Sequence, residues 1–390
     1  MRVYFDNAAT TPLDSRVLAE LKDKLENLYG NPSSIHQLGR TSKNEIEKAR
    51  KIVAQNINAS TGEIFFTSGG TESNNTALKC AVRDLGVRRI ITSPIEHHCV
   101  LHAVECLEGS DDIEKLLVNV DPLGHFELDH LEELLSQTDE KTLVSLMHAN
   151  NEIGTMADIK AIGEICRKYG AFFHSDTIQT VGHFPIDVSD LYVHFMSGSA
   201  HKFHGPKGVG FLYINSDSLI KPFIDGGGQE RNMRGGTENL HGIIGMGKAL
   251  ELASGEMEER REVISRIRSH MKHRLLETVD GVCFHGEQEG DHLYTVLSVS
   301  FPQGPKTEMM LMALDIAGIC ASGGSACSSG SDKGSHVIEK IGDVEGRKTI
   351  RFSFSHLNTL EEVEYAVEKI SDFFPRVSKK EGVVSTETKA

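Results

Sequence analysis

A lysine and several groups that bind oxyanions lie together in residues 197–208, which read Ser-Gly-Ser-Ala-His-Lys-Phe-His-Gly-Pro-Lys-Gly. Apolar runs typical of β-strands flank this segment, so Lys202 is expected to lie where a strand ends. Ser199 and His201 place hydroxyl and imidazole donors beside its amine. A lysine that forms a Schiff base with a cofactor needs such an anion site for the cofactor's phosphate. A basic surface hairpin is the alternative interpretation.

A second anion site is predicted in residues 65–75, where an apolar strand, a Gly-Gly turn and a helix follow one another. The free N–H groups at such a helix start, together with the Thr71 hydroxyl, bind anions. The segment lacks the Lys-Ser/Thr pair of a Walker A loop and the glycine spacing of a dinucleotide fingerprint, so a phosphate monoester fits best. A helix cap without a ligand would use the same residues.

Two more candidates follow predicted strands. Asp176 ends the apolar run at residues 172–176, where its carboxylate could keep a pyridine nitrogen protonated and so make a pyridoxal ring an electron sink. Capping of the next helix is its alternative role. His97 could stack on a ring and transfer protons near neutral pH. His98 and His102 have a spacing that suits a metal, but no nearby carboxylate completes a zinc motif, so no metal is predicted.

A cysteine and an arginine complete the set of candidates. Cys327 lies in residues 321–331, Ala-Ser-Gly-Gly-Ser-Ala-Cys-Ser-Ser-Gly-Ser, a composition that predicts an exposed loop. Because a structural cysteine prefers apolar neighbours, this one fits a nucleophilic thiolate that travels to its target. Arg351 carries a fork of donors that suits a substrate carboxylate, with a surface ion pair as the alternative.

The composition is that of an ordinary globular protein of 390 residues, long enough for two domains. A formal charge of −15 argues against nucleic-acid or membrane-surface binding. The chain shows no signal-peptide pattern and no apolar run of membrane-spanning length, so a cytoplasmic location is expected. Its 7 cysteines form no Cys-x-x-Cys pair, which argues against a disulfide framework and a zinc ribbon.

The elements that must position these residues follow two patterns. Strand-like runs alternate with helical patterns up to about residue 214, which predicts βαβ units, a mainly parallel sheet and ligand sites at the carboxyl ends of its strands. A long helix over about 238–276 then precedes strands at 295–300 and 350–354 and helices at 308–317 and 360–373, a smaller α+β pattern. We therefore predict a large domain (16–260), a small domain (1–15 with 261–377) and a polar tail (378–390).

Taken in order, these segments resemble the cysteine desulfurases of aminotransferase class V, which are pyridoxal-phosphate enzymes of fold type I. The Cys327 segment looks like that of the long-loop group, which passes sulfur to acceptor proteins. The resemblance implies an aminotransferase-like α/β fold, with a mainly parallel seven-stranded sheet in the large domain and a smaller α+β domain. The motifs that carry it are residues 4–11, 30–36, 67–74, 150–154, 174–179, 199–202, 227–231, 234–237 and 325–327.

The resemblance implies pyridoxal 5'-phosphate as the cofactor and assigns a role to each candidate. The catalytic residues are Lys202 as the Schiff-base lysine, His97 as the ring-stacking residue that transfers protons, and Cys327 as the thiol nucleophile. The other cofactor contacts are Asp176 at the pyridine nitrogen, Gln179 near the ring hydroxyl, Asn151, and a phosphate set of Gly70, Thr71, Ser199, His201 and Thr237. Asn151 and Arg351 would position the substrate carboxylate.

The activity that the resemblance implies is desulfuration of L-cysteine, which yields L-alanine and a persulfide on Cys327. A sulfur-acceptor protein such as an iron–sulfur scaffold would take the sulfur for iron–sulfur cluster or thio-nucleoside biosynthesis. A homodimer is implied because Thr237 matches the residue that family members lend to the neighbouring subunit's phosphate. The alternatives are a selenocysteine lyase, an aminotransferase or another fold type I enzyme, and a non-catalytic scaffold for acceptor proteins.

Overall fold

A computed structural model of the chain describes residues 1–110, 113–304, 306–324, 334–342 and 346–374. Short strands and longer helices alternate through most of these ranges. The strands are β1 (Val3–Tyr4), β2 (Ile64–Thr67), β3 (Arg89–Thr92), β4 (Glu114–Leu117), β5 (Thr142–Ser145), β6 (Phe172–Asp176), β7 (Phe195–Ser199), β8 (Gly210–Ile214), β9 (Cys283–His285), β10 (Val296–Phe301), β11 (Ile319–Cys320) and β12 (Lys348–Ser353).

The helices connect these strands and cover the sheets. Within the described ranges, no helix is long and apolar enough to cross a membrane. The helices are α1 (Ser15–Asn27), α2 (Gln37–Asn56), α3 (Gly70–Leu85), α4 (His98–Ser110), α5 (Leu128–Ser136), α6 (Ile159–Lys168), α7 (Leu240–Gly255), α8 (Met257–Thr278), α9 (Met310–Ile316), α10 (His336–Ile341) and α11 (Leu360–Ser371).

The largest sheet has seven strands in the order β2-β8-β7-β6-β5-β3-β4. The strands from β7 to β4 pair in parallel, whereas β8 is antiparallel to both of its neighbours. The prediction of a mainly parallel α/β sheet is therefore confirmed. Since the parallel strands run the same way, their carboxyl ends share one edge of the sheet, and the loops that follow them meet there.

Helices bury both faces of this sheet, as the apolar runs of its strands require. Alternate residues of a strand point to opposite faces, and Ile90 and Ile91 in β3 accordingly belong to two different apolar clusters. Helices α1, α2, α6 and α7 contribute to the cluster that contains Ile91, and α3 and α4 contribute to the one that contains Ile90. The sheet edge that bears the loops is thus held by packing on two sides.

A third core surrounds the antiparallel sheet β12-β10-β9. Helices α8, α9 and α11 pack on it, and Val3 and Phe5 from the start of the chain lie in the same cluster. Strand β1 pairs in parallel with β11, so the amino terminus joins the carboxyl-terminal part of the chain. These layers have the smaller α+β pattern expected for the second half, while the exact domain limits at residues 15/16 and 260/261 stay a prediction.

The expectation of one long helix over 238–276 is wrong. Helix α7 ends at Gly255 and α8 begins at Met257, with Glu256 between them at φ −112° and ψ 13°. The Glu256 carboxylate accepts hydrogen bonds from Arg16 and Arg260, and Arg16 lies at the start of α1. An ion pair between two helices therefore accompanies the break. The spacing of apolar residues along the sequence does not reveal an interruption of a single residue. Other element ends differ from the predicted ones by a few residues.

Candidate active site

A cavity of about 240 Å³ lies at the edge of the seven-stranded sheet where the parallel strands end. It collects side chains from loops that are far apart in the sequence. Most of the candidate residues line it, which is the convergence that a parallel sheet predicts. The lining residues are Ala8, Ala9, Gly70, Thr71, His97, Cys99, Met147, Ala149, Asn151, Asp176, Ile178, Gln179, Ser199, His201, Lys202 and Arg351.

Lys202 follows β7 in a short 3-10 turn, Ala200–Lys202. Its side chain reaches back to the loop after β1, where Nζ donates hydrogen bonds to the carbonyl oxygens of Ala8 and Ala9, the latter at 2.9 Å. The turn itself is tied to this loop, because the Thr11 backbone N–H and hydroxyl both donate to the His201 carbonyl. The amine is thereby fixed at the cavity wall, within reach of an electrophile that enters the cavity.

Asp176 lies at the end of β6 and is 6% exposed. Its Oδ2 accepts a hydrogen bond of 2.7 Å from Asn74 Nδ2, and its Oδ1 accepts one of 3.0 Å from the Ile178 backbone N–H. Asn74 is buried in α3, where its Oδ1 accepts from the Ser197 hydroxyl. Two neighbouring elements therefore orient the carboxylate toward a group in the cavity, such as a protonated ring nitrogen.

His97 faces the same cavity from the loop between β3 and α4. Burial lowers its pKa, with Asp176 opposing the shift and Lys202 adding to it, so the ring is neutral near pH 7. Its Nδ1 accepts the Cys99 backbone N–H at 3.2 Å, which assigns the proton of the neutral ring to Nε2. Burial also raises the pKa of the Cys99 thiol to about 12, so Cys99 is a protonated neighbour of His97.

The start of α3 forms an anion cradle at the cavity. Its N-cap is Gly69 at φ 147°, and no side chain of the described residues caps this helix start. A Cβ on Gly70 would lie 2.0 Å from Ile178 Cδ1, so any larger residue would require the Ile178 side chain to move. The Thr71 and Ser199 hydroxyls line the cavity beside these N–H groups. Such donors suit a phosphate monoester, as predicted.

His201 lies next to this cradle and hydrogen-bonds through Nδ1 with the Thr10 hydroxyl at 3.1 Å. Burial lowers its pKa to about 4, and the neighbouring charges of Lys202 and Lys207 act in the same direction. The ring is therefore neutral near pH 7 and binds an anion only as a hydrogen-bond donor, not as a cation.

Arg351 enters the cavity from β12 of the antiparallel sheet and is 1% exposed. Its Nη1 donates to the Asn151 carbonyl at 2.8 Å, and its Nη2 donates to Asp6 Oδ1 at 3.0 Å. Its buried Nε has no hydrogen-bond partner among the described residues. A buried donor without a partner is costly. The guanidinium as a whole lines the cavity, where its fork of donors suits a carboxylate. The surface ion-pair interpretation of Arg351 is wrong because the guanidinium is buried.

Of the remaining candidates, one lines the cavity, one does not, and one lies outside the described residues. Gln179 lines the cavity and donates from Nε2 to the Ala8 carbonyl at 3.1 Å, close to the point where Lys202 is held. Thr237 is exposed and is not among the residues that line the cavity. Cys327 lies outside the described residues. Within the described part, no three His, Cys, Asp or Glu side chains gather as metal ligands, and His98 and His102 stack at 5.2 Å.

Asn74 belongs to the motif at residues 67–74, but the sequence alone assigns it no role. The signal for it was helical spacing, because Asn74 is four residues after Gly70 and thus lies on the same face of α3. The carbonyls of Ala8 and Ala9 were not predicted as partners of Lys202. The small residues at positions 7–11 are typical of a turn that lets another group approach closely, but they do not indicate which group.

A family model described as Aminotransferase class-V matches residues 3–366. The chain belongs to this family. The cysteine desulfurase IscS of Dictyoglomus turgidum is 43% identical over 370 residues, which are 94% of this chain and 93% of that protein. A solved NifS-like protein has a TM-score of 0.87 and 39% identity and covers 95% of this chain and 99% of its own. SspA in complex with cysteine has a TM-score of 0.78 and 31% identity and covers 92% and 100%, respectively.

The groups that line the cavity of this aminotransferase class-V protein match the chemistry of pyridoxal 5'-phosphate. The cradle at Gly70 accepts a phosphate, the Asp176 carboxylate suits a protonated ring nitrogen, and the Lys202 amine suits an aldehyde. The Arg351 guanidinium, which lines the cavity, suits the carboxylate of an amino acid. Each part of a pyridoxal-bound amino acid thus has a described group of matching chemistry.

Proposed function

We propose that this chain is a cysteine desulfurase, which removes sulfur from L-cysteine and releases L-alanine. The observation that carries the proposal is the single cavity that joins Lys202, Asp176 and the start of α3 to the buried Arg351. A reactive amine, an acid for a ring nitrogen, a phosphate cradle and a carboxylate clamp are what amino-acid chemistry with a pyridoxal cofactor requires. One relative is named a cysteine desulfurase, and SspA was solved in complex with cysteine. Both support L-cysteine as the substrate of this chain.

The cofactor is pyridoxal 5'-phosphate, which withdraws electrons from the bonds of a bound amino acid. Lys202 would hold its aldehyde, Asp176 would keep the ring nitrogen protonated, and Gln179 would bind near the ring hydroxyl. The phosphate would be held by Gly70, Thr71, Ser199 and His201, with Thr237 of a second subunit.

The chain's own groups then handle the proton and the substrate. Asn151 and Arg351 hold the substrate carboxylate, which orients its Cα–H toward the Lys202 amine. The Lys202 amine would take that proton as a general base. His97 is neutral and has Nδ1 occupied, so its Nε2 is the atom that exchanges protons with the substrate.

Cys327 receives the sulfur. Its thiolate attacks the substrate sulfur, so a new S–S bond forms while the Cβ–S bond breaks. The electron pair of the broken bond stays with the carbon skeleton, which takes up a proton to give L-alanine. The Cys327 thiol and L-cysteine thus become a Cys327 persulfide and L-alanine, and no external oxidant is consumed.

We further propose a homodimer that passes the persulfide sulfur to an acceptor protein, such as an iron–sulfur scaffold. Thr237 supports the dimer, because it is exposed and lies away from the cavity of its own chain. A cytoplasmic location suits a mechanism that needs a reduced thiol. The cysteines of the described ranges are free.

The products test the proposal. Holoenzyme incubated with L-cysteine is expected to form L-alanine and, with a reducing thiol, sulfide in equal amounts. A keto acid without a persulfide would indicate transamination instead, and a strong preference for L-selenocysteine would indicate a lyase. Protein that shows no visible cofactor absorbance and no product would indicate a scaffold.

Replacing Asp176 with alanine is expected to leave cofactor phosphate binding in place but to lower kcat by about 10²-fold or more, the effect of losing a preorganised charge. The phosphate donors of the α3 cradle are backbone N–H groups and hydroxyls that remain without this carboxylate, whereas an unprotonated pyridine is a poor electron sink. Asp158→Ala is the control, since Asp158 caps α6 and its loss affects stability. Parent turnover in Asp176→Ala would remove Asp176 from this role.

Replacing Arg351 with lysine is expected to raise the KM for L-cysteine about tenfold or more, because a hydrogen bond to a charged group contributes about 1.5 kcal/mol or more. Lysine keeps the charge but loses the fork that binds Asp6 and a carboxylate together. Arg347→Lys is the matched control, because Arg347 bonds to Ser300 and does not line the cavity. Equal KM values in the two variants would contradict the clamp.

A further inference from the structure

The described residues that flank the Cys327 segment on either side lie close to one buried carboxylate, that of Glu152. Glu152 is 2% exposed, and its Oε2 accepts a hydrogen bond from the Ser335 hydroxyl. Gly324 packs against both, because a Cβ placed on it would lie 3.1 Å from Ser335 Cβ and 3.2 Å from Glu152 Oε2. Gly324 also has φ 136°, a conformation that favours glycine.

The end that precedes the segment is fixed to the substrate clamp. Ser322 and Arg351 exchange two backbone hydrogen bonds of 3.2 and 2.7 Å. The Ser322 hydroxyl donates to Asp6 Oδ1 at 2.8 Å, the same oxygen that accepts from Arg351. Movement of Ser322 would therefore disturb the guanidinium proposed to hold the substrate.

The end that follows the segment is fixed to the wall that carries His97. His336 Nε2 lies 2.9 Å from the Glu96 carbonyl oxygen, and its ring packs on His98 with a centroid distance of 4.5 Å. Ser335 also caps α10 by accepting the Ile338 N–H at 3.2 Å. The Ser335 hydroxyl thus accepts a hydrogen bond from the Ile338 N–H and donates one to Glu152. A side chain that can only accept would keep the first bond and lose the second.

Glu152 connects both ends to the cavity through its own backbone. Its N–H donates to Asn150 Oδ1 at 2.8 Å, and the preceding residue, Asn151, lines the cavity. The Asn151 carbonyl accepts from Arg351 at 2.8 Å. Burial of a carboxylate is costly unless donors satisfy it, which makes a Glu at this position a poor choice for packing alone.

We propose that Glu152 is a positioning residue for sulfur transfer, because it holds Ser335 and Gly324 together beside Asn151 and Arg351. The inference rests on the proposed role of Cys327. Cys327 lies three residues after Gly324 and eight residues before Ser335 in the sequence. The Glu152 carboxylate therefore contacts described residues on both sides of the segment that carries the thiol.

Single variants of the holoenzyme test this role. Glu152→Ala is expected to slow persulfide formation on Cys327 about tenfold or more, since misplaced groups lose the advantage of proximity. The change in cofactor absorbance on adding L-cysteine should keep its parent rate. Glu152→Gln retains an oxygen that accepts from Ser335, so it should keep most of the parent rate. Ser335→Asp keeps the cap acceptor but cannot donate to Glu152 and places a second carboxylate beside it, so it should slow persulfide formation at least as much as Glu152→Ala.

A double variant and an exchange measurement separate positioning from general damage. If Glu152 acts through Ser335, adding Ser335→Asp to Glu152→Ala should slow persulfide formation no further, so the double variant should match Glu152→Ala. Hydrogen exchange at the Ile338 amide should quicken in Glu152→Ala but not in Glu152→Gln, while the melting temperature moves little. Should Glu152→Ala fail to fold, Ser335→Asp carries the same comparison.

The outcomes distinguish this inference from the proposed function. Parent persulfide rates in Glu152→Ala and Ser335→Asp, with Cys327→Ser inactive, would overturn the positioning role and leave the desulfurase intact. Additive effects of the two substitutions would also overturn it. Parent desulfuration in Cys327→Ser would overturn the proposed function itself.

Discussion

Lys202→Ala protein is expected to fold, to lose covalent attachment of the cofactor and to turn over L-cysteine at least about 10²-fold more slowly, the loss that follows removal of a positioned general base. The Lys202 amine donates to the carbonyl oxygens of Ala8 and Ala9, and Lys202 follows strand β7, so alanine leaves the packed strand unchanged. Borohydride reduction followed by mass spectrometry of the peptides measures the attachment directly.

Lys207 provides the matched control for this experiment. It is exposed and lies five residues beyond Lys202 in the same segment, so Lys207→Ala should keep both the adduct and the turnover. A reducible cofactor adduct that persisted in Lys202→Ala would show that another lysine carries the cofactor. Loss of the adduct in Lys207→Ala alone would have the same meaning.

Cys327→Ser protein should bind the cofactor and show the first absorbance changes with L-cysteine, yet form alanine and sulfide only near background. The two halves of the mechanism depend on different residues, since the thiol acts only after Lys202 has taken the substrate proton. Serine is nearly isosteric with cysteine, and the Gly- and Ser-rich neighbours offer little apolar surface to lose. The loss would therefore report chemistry.

Cys320→Ser is the control for a cysteine close to the same segment. Cys320 belongs to β11, which pairs with β1, so its substitution should lower stability more than turnover. If Cys320→Ser lost desulfuration while Cys327→Ser kept it, the nucleophile would have been assigned to the wrong cysteine. If both kept it, no persulfide on either residue would be part of the mechanism.

The sequence was sufficient to predict the sheet and the edge at which the site lies. Apolar runs that end in Asp176 or lead into Lys202 indicate strands, and parallel strands bring their carboxyl ends together whatever their separation along the chain. Helix ends were predicted less well. The expected long helix is interrupted at Glu256, which pairs with Arg16 in another helix. The spacing of apolar residues carries no information about that partner.

The contacts that orient the site were beyond prediction from the sequence for the same reason. Asn74 and Asp176 lie 102 positions apart, and Asp6 and Arg351 lie 345 apart, so neither pair is visible before the fold is known. Motifs indicated which residue types would do chemistry. Partners such as Glu152 and Ser335 depend on how two layers meet, which no local pattern encodes.

Transfer of labelled sulfur tests the central claim most directly. Holoenzyme would be mixed with L-cysteine that carries a sulfur isotope, quenched after one turnover and digested for mass spectrometry. The mechanism predicts one labelled sulfur on the Cys327 peptide for each L-alanine formed, and none in Lys202→Ala. Label on another cysteine such as Cys99, or alanine formed without any labelled persulfide, would contradict it.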